Sequence, residues 1–473
     1  MSAVVGIDIG TTKICAVAVA PSGELLASVE QPNDAALNAD GPGRFEQDPF
    51  RIRQRVVDTL RELTARVSDV AGIGLTGQMH GMLCVDADNR PLGNLITWQD
   101  QRCLEPATPD GKTWLDLIRE RVPATAWGSC GCQPASGYLG CTLFWAQRAG
   151  KLPRTTARVA FIPDWIAGVL AGQLPVTDPS DAGSTGIFDL ERLCWHDGIA
   201  QALELPAMLL PPLRESGTPI GAVTAALAQE TGLPAGTPVC NAIGDNQASV
   251  LGSVADPDHG ILINLGTGGQ ISWAVPSFTR VPDMETRYLP HKRYMLVGAS
   301  LCGGRAYAWL ADVLRDWLRH FGPGPDRDTA YAQLSNLAAA APPGTGGLHV
   351  TTTLAGTRAD PTQRGSIHGI SLDNFALGNL ARAVLEGAVD ELAAFHDRAP
   401  DHHQRQHQSV IASGNAARKN PLLRQIIADR FGRPVLIPRY CEEAAYGAAL
   451  LAGVSVGVWP SLPAAGRCIA YLK

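Results

Sequence analysis

The chain opens on two short apolar runs within residues 4–19, separated by the turn GTT at residues 10–12. Apolar, β-rich runs on both sides of a glycine-containing turn predict a strand, a turn and a second strand. The same pattern returns over residues 262–275, where GTG at residues 266–268 separates two apolar runs. A common hairpin turn explains either copy alone. Their positions near the start of each half favour an internal duplication.

Between and after these hairpins, β-rich runs alternate with helical patterns. Apolar residues recur at helical spacing over residues 307–318 and 377–395, and residues 409–413 form a short β-rich run. This alternation is typical of α/β proteins, in which helices pack on sheets. Because the second hairpin begins a new series of such elements, we place the boundary between two domains at residue 253, giving residues 1–253 and 254–473.

Composition limits the classes of protein to consider. Of the 473 residues, 45% are hydrophobic, so the chain can bury a core and is not disordered. The net charge of −6 gives no basic field for nucleic acid or for an anionic membrane surface. The 11 cysteines form no CxxC pair, which indicates reduced thiols and predicts a cytoplasmic protein. The histidine-rich residues 401–408 lack a thiol or carboxylate framework, which favours a solvated loop over a metal site.

The two glycine-threonine turns are the first candidates for chemistry. Successive backbone N–H groups and hydroxyls in such a turn can bind an anion, and glycine lets a phosphate approach closely. Asp8, at the end of the first strand, could hold Mg²⁺ through water. A tight hairpin capped by its aspartate is the alternative. Two such loops facing one polyphosphate favour the nucleotide interpretation.

Asp245 follows the apolar run 239–243 and precedes a helical stretch. An aspartate in this position commonly caps a helix. Alternatively, an acid at a strand-to-helix turn beside the domain boundary could accept the proton of a hydroxyl that attacks ATP. Both interpretations stay open from the local pattern.

Two polar segments interrupt apolar runs in the first half, at residues 77–81 (GQMHG) and 98–102 (WQDQR). Their amide, imidazole, carboxylate, guanidinium and indole groups suit a polyol, which needs hydrogen bonds to hydroxyls and apolar contact with its C–H face. A structural histidine is the alternative for His80. Two such clusters in one half favour sugar binding.

Taken in order along the chain, these motifs resemble the FGGY carbohydrate kinases, which share the actin, Hsp70 and hexokinase ATPase superfold. The resemblance covers nearly the whole chain and implies an α/β fold of two duplicated ribonuclease H-like domains with a cleft between them. The residues that carry it are Asp8-x-Gly10-Thr11-Thr12, Gly77-Gln78-Met79-His80-Gly81, Trp98-Gln99-Asp100, Gly244-Asp245-Asn246, Leu265-Gly266-Thr267 and Ala412-Ser413-Gly414-Asn415.

The resemblance also implies a role for each matching position. Asp245 would be the general base, and Asp8 the carboxylate that faces Mg²⁺, through water. ATP would contact Thr11, Thr12, Gly266, Thr267, Gly303, Gly304, Gly414 and Asn415. The sugar would contact Gln78, Met79, His80, Trp98, Asp100 and Asn246.

Within the family, residues 97–103 and 140–145 look most like the kinases of sedoheptulose. We therefore expect an ATP-dependent kinase that phosphorylates the terminal primary hydroxyl of a ketose, with sedoheptulose as the first choice. A kinase of xylulose, or of another pentulose or polyol, is the alternative. A non-sugar ATPase module of the same superfold is the alternative from another class. The expected partners are ATP and a small sugar, with neither nucleic acid nor a membrane.

Overall fold

The computed structural model describes residues 2–38, 41–357, 360 and 362–472. Its strands are β1 Ala3–Ile9, β2 Lys13–Val19, β3 Leu25–Pro32, β4 Ala36–Leu37, β5 Glu46–Gln47, β6 Val70–Gly77, β7 Leu83–Val85, β8 Leu95–Ile96, β9 Arg158–Ala160, β10 Phe188–Asp189, β11 Cys194–Trp195, β12 Pro219–Ala222, β13 Pro238–Cys240, β14 Ile243–Gly244, β15 Gly260–Leu265, β16 Gly269–Val275, β17 Glu285–Leu289, β18 Arg293–Ser300, β19 His349–Thr351, β20 Ser366–His368, β21 Ser409–Ser413 and β22 Val435–Leu436.

Helices follow or precede most of these strands, as the alternating pattern predicts. They are α1 Pro49–Thr64, α2 Trp114–Arg121, α3 Leu139–Arg148, α4 Ile162–Ala171, α5 Pro179–Ala182, α6 Asp197–Ala202, α7 Ala225–Thr231, α8 Asp245–Ser253, α9 Gly303–Arg319, α10 Arg327–Ala340, α11 Leu377–Asp397, α12 Asp401–Gln406, α13 Gly414–Lys419, α14 Pro421–Phe431, α15 Glu443–Ser455 and α16 Leu462–Gly466. Among the described residues, none of these helices has the length and apolar character needed to cross a membrane.

The first sheet has the strand order β12-β13-β6-β1-β2-β3. Its centre is the hairpin of β1 and β2, which pair antiparallel around the first glycine-threonine turn. β6 pairs parallel with β1 on the other side, and β3 pairs antiparallel with β2. β1 is buried nearly throughout because its apolar residues pack on both faces of the sheet, which leaves the turn at its end as the accessible part.

The second sheet repeats this arrangement, in the order β17-β18-β16-β15-β21-β22. β15 and β16 form the antiparallel hairpin around the second glycine-threonine turn. β21 pairs parallel with β15, and β18 pairs antiparallel with β16. The two sheets therefore share a hairpin flanked by one parallel and one antiparallel strand, which agrees with the predicted duplication.

Two helices rich in small residues pack closely between the sheets. A Cβ at Gly252 of α8 would overlap the carbonyl oxygen of Glu443 in α15, and a Cβ at Gly447 would overlap that of Ala248. α15 also contacts β1 and β6 of the first sheet. The last part of the chain thus packs against the first sheet, and the division at residue 253 stays a prediction.

The expected solvated loop over residues 401–408 is wrong. Residues 401–406 form α12, and His403 and His407 are buried. His407 shares a 3.0 Å hydrogen bond between its Nδ1 and the Nε2 of His396, and both rings lie edge-on to Trp273. The segment is therefore amphipathic: His403 and His407 are buried, whereas His402 and Gln408 are exposed.

Candidate active site

A cavity of about 790 Å³ opens in the second half, beside the turn between β15 and β16. Small-molecule sites usually measure roughly 300–1,000 Å³. Six of the residues expected to contact ATP line it, namely Gly266, Thr267, Gly303, Gly304, Gly414 and Asn415. The structure therefore brings together residues from three separate segments of the chain.

Glycine is required where the segments meet. The amide of Gly304 donates to the carbonyl oxygen of Gly266 at 2.9 Å, and the amide of Arg305 donates to that of Thr267 at 3.0 Å. A Cβ at Gly303 would overlap the backbone of Gly268. α9 thus begins directly on the second turn, and the positive end of its dipole lies where it would stabilise an anion.

Further side chains of this cavity escaped sequence analysis. Arg305, Arg327 and Lys419 supply positive charge, while Tyr331 and Leu385 supply aromatic and apolar surface. This combination fits a nucleotide, which needs cations for its phosphates and an apolar wall for its base. No short motif marks these residues, because each comes from a different helix turn.

The first turn is held by side chains rather than by a helix. The indole Nε1 of Trp98 donates to Thr11 Oγ1 at 3.0 Å, and that hydroxyl donates to Gln78 Oε1 at 3.3 Å. Gln47 closes the network, since it accepts from Gln78 Nε2 and donates to the carbonyl oxygen of Thr11, both at 2.8 Å. Thr12 is exposed. The first turn is thereby tied to two expected sugar contacts.

Asp8 lies at the end of β1, among other carboxylates. Burial, and then the charges of Asp245 and Glu442, raise its pKa to about 7, while Lys13 opposes the shift. Lys13 is itself bonded to Glu30 and Glu442, at 2.9 Å each. A carboxylate such as Asp8, whose pKa is raised by burial and by neighbouring acids, suits Mg²⁺, because a divalent cation would neutralise the repulsion.

Asp245 is the first residue of α8, and Gly244 occupies the N-cap position without a side-chain cap bond. The capping interpretation of Asp245 is therefore wrong. Burial raises the pKa of Asp245. The charge of the Arg287 guanidinium and a hydrogen bond from the backbone N–H of Asn246 oppose that rise. A partly buried carboxylate with a raised pKa is suited to accept a proton.

The expected sugar residues next to Asp245 come from the end of β6 and from α8. Met79 is buried against Gly244. His80 has a φ of 73°, stacks on Tyr138 at 4.1 Å, and places Nδ1 2.8 Å from the carbonyl oxygen of Ser184. Asn246 Nδ2 donates to Gln270 at 2.6 Å, while its Oδ1 is buried with no hydrogen-bond partner among the described residues.

Asp100 is an expected sugar residue whose carboxylate is already hydrogen-bonded within the protein. It is only 1% exposed, and its two oxygens accept from the guanidinium and amide of Arg102 and from the amide of Phe45. These bonds fix the loop that carries Trp98, which is 43% exposed. The geometry gives Asp100 a positioning role in this structure, and direct sugar contact stays a prediction.

Comparisons with known proteins match the whole length of the chain. Models of the N-terminal and C-terminal domains of the FGGY family of carbohydrate kinases match residues 3–252 and 272–456. The sedoheptulokinase of Homo sapiens is 28% identical over 94% of this chain and 96% of that protein. The xylulose kinase of Bacillus subtilis is 27% identical over 98% and 90%.

Solved structures agree in fold. The crystal structure of xylulose kinase from Rhodospirillum rubrum superposes with a TM-score of 0.86 and 27% identity, covering 100% of this chain and 93% of that one. Plasmodium falciparum glycerol kinase with ADP gives a TM-score of 0.83 at 19% identity, covering 99% and 92%. The two-domain α/β fold predicted from the motifs is thereby confirmed.

Proposed function

The chain belongs to the FGGY family of carbohydrate kinases, and from this premise we propose that it phosphorylates the terminal primary hydroxyl of a ketose, with sedoheptulose as the first choice. It is an ATP-dependent phosphotransferase that acts on a small sugar, as its relatives are. Membership in this family displaces the alternative of a non-sugar ATPase module. The proposal concerns the acceptor sugar and the residues that act on it.

One observation carries the proposal: Asp245 is a partly buried carboxylate at the junction of the two halves. Met79 packs against the adjacent Gly244, and Asp8 at the first turn lies close enough for its carboxylate to interact with that of Asp245. A base between a sugar segment and a phosphate turn is what direct transfer to a hydroxyl requires.

In the proposed reaction, the oxygen of the sugar's terminal hydroxyl bonds to the γ-phosphorus of ATP, and Asp245 accepts the proton of that hydroxyl. The bond between that phosphorus and the β–γ bridging oxygen breaks, and ADP leaves. Thr11, Thr267 and the start of α9 would hold the phosphates in line with the hydroxyl. Burial around Asp245 would limit transfer to water.

Asp8 would hold Mg²⁺, through water, with Glu442 as the neighbouring carboxylate. When bound, the cation would neutralise charge on the phosphate oxygens. The raised pKa of Asp8 supports this assignment, because the carboxylate lacks an adequate positive partner among the described residues.

The choice of sedoheptulose is supported by the residues around Trp98 and by the sedoheptulokinase relatives. Xylulose is the second candidate, since xylulose kinases are nearly as similar. Steady-state kcat/KM values for a panel of ketoses test the choice. We expect the highest kcat/KM for sedoheptulose. A strong preference for xylulose would mean that the pentulose xylulose is the acceptor sugar. The cytoplasmic location stays a prediction.

A further inference from the structure

Arg287 lies on β17, the edge strand of the second sheet, yet its side chain reaches the first half of the chain. It is only 8% exposed. Its Nη1 lies 3.9 Å from the sulfur of Met79, which is one of the expected sugar contacts. A cation from the second half therefore lies beside a sugar segment of the first half.

The guanidinium is oriented by one partner. Glu285, two residues earlier on the same strand, accepts from Nε at 3.1 Å and from Nη2 at 2.7 Å. An arginine carries five N–H donors, and a thioether is a weak acceptor. The Nη1 donors on Met79 are thus the ones that a stronger acceptor would take.

The charges around the guanidinium point in the same direction. Arg287 interacts electrostatically with Asp245 and Tyr138 in addition to Glu285. Tyr138 stacks on His80, so its ring belongs to the same wall of the site. Arg287 therefore faces residues on both sides of the place proposed for the sugar.

We propose that Arg287 is a sugar-binding residue supplied by the second half, donating from Nη1 to an oxygen of the ketose beside the reacting hydroxyl. Glu285 is the positioning residue that holds the guanidinium in this orientation. An arginine suits this task because its planar fork stays fixed while one edge is bonded. The inference rests on the proposed function and adds that the sugar contacts both halves.

The alternative is that Arg287 only balances the charge of Glu285. Three variants separate the two: Arg287→Met, Arg287→Lys, and the double variant Arg287→Met with Glu285→Met. Losing a hydrogen bond from a charged donor usually weakens binding by about 10- to 100-fold. We expect Arg287→Met to raise the sugar KM by this factor and to leave the ATP KM unchanged, and Arg287→Lys to recover part of the loss.

The double variant decides between the interpretations. If Arg287 binds sugar, removing both charges leaves the sugar KM raised. A sugar KM restored to the wild-type value would overturn the proposal, and so would an unchanged KM in Arg287→Met. Arg293→Met is the matched control, since Arg293 is an ion-paired arginine on the adjacent strand whose partner is Asp258.

Two measurements keep these outcomes separate from folding and from the proposed function. Melting temperature and ADP binding report whether each variant is folded, and Arg287→Lys replaces Arg287→Met if the latter does not fold. If the wild-type protein phosphorylates no ketose, the proposed function fails. If it does and the Arg287 variants keep the wild-type sugar KM, only the sugar-binding role fails.

Discussion

The two glycine-threonine turns have the same place in their sheets but different surroundings. Thr11 in the first turn bonds through its hydroxyl to Trp98 and Gln78. Thr267 in the second turn is exposed, and its backbone carbonyl oxygen accepts a hydrogen bond from the backbone N–H of Arg305 at the start of α9. One turn is tied to the segments proposed to bind sugar, whereas the other borders a nucleotide-sized cavity.

This difference shows how a duplicated scaffold can perform two tasks. In the proposed function, the hairpin backbone would supply the phosphate-binding geometry in both halves, and the segments packed on it would determine which ligand binds. In the first half those segments follow β6 and β8, and in the second half they are α9 and α13. Asp245 lies between the halves and belongs to neither turn.

The largest expected effect comes from removing the base while both turns stay intact. We expect Asp245→Asn to lower kcat by roughly 10²–10⁴, the usual contribution of general acid–base catalysis, with ATP still bound. Asp197→Asn is the matched control, because Asp197 is the exposed first residue of α6. Steady-state turnover close to that of the wild type would reject the assignment of Asp245 as the general base between the two halves.

The two halves should also respond to pH in opposite directions. Burial lowers the pKa of His396 to about 4 and that of His407 to about 3 in the second half. The unfolded chain takes up these protons first, so this stability is present above pH 6.5 and is lost as the pH falls toward 4. The expected loss at pH 4 is about 3 kcal/mol for each histidine, since one pKa unit corresponds to ~1.4 kcal/mol.

The first half carries the reverse case. Asp164, Asp178 and Asp181 are fully buried, and burial raises the pKa of each, that of Asp178 to about 6. Their contribution is present below pH 3.8 and is lost at higher pH, in the case of Asp178 as the pH rises through 6. Hydrogen exchange, corrected for intrinsic rates, should show the second half opening first at pH 5 and the first half losing protection at pH 8. The same order of opening at both values would contradict this contrast.

Two glycines, Gly266 of the second turn and Gly303 at the start of α9, separate packing from ligand access. A Cβ at Gly303 would overlap Gly268, so Gly303→Ala should cost about 1–3 kcal/mol of stability, as overpacking does. A Cβ at Gly266 meets nothing within 4 Å, so Gly266→Ala should leave the melting temperature unchanged. If a phosphate approaches there, Gly266→Ala raises the ATP KM. An unchanged ATP KM would remove Gly266 from the nucleotide site.

The smallest effects test the two threonines against each other. Thr11→Val removes the hydroxyl shared by Trp98 and Gln78, and one hydrogen bond contributes about 1 kcal/mol. Because Thr11 is also proposed to hold the phosphates, we expect Thr11→Val to raise the sugar KM roughly fivefold and the ATP KM as well. Thr267→Val should raise the ATP KM alone, with the sugar KM unchanged. Equal effects of both variants on the two KM values would mean that the turns do not differ in function.

The local motifs contain glycines that the fold brings together around one cavity. Gly266, Gly303 and Gly414 line one cavity, as the resemblance implies, because close backbone approach selects glycine regardless of distant sequence. Residues whose role depends on a partner were harder. Asp100 is paired with Arg102, and Arg287 belongs to an edge strand without any recognisable pattern. Only the folded sheet brings Arg287 to the sugar segment, so no local pattern could have predicted it.

The most direct measurement is the rate of ADP release with and without sedoheptulose, in saturating ATP and Mg²⁺. We expect release that depends strongly on the sugar and falls close to the sugar-free level in Asp245→Asn. We also expect sedoheptulose phosphorylated at its terminal primary hydroxyl to accumulate in step with ADP. Release at the same rate with and without any ketose would contradict transfer to a sugar hydroxyl at the junction of the two halves.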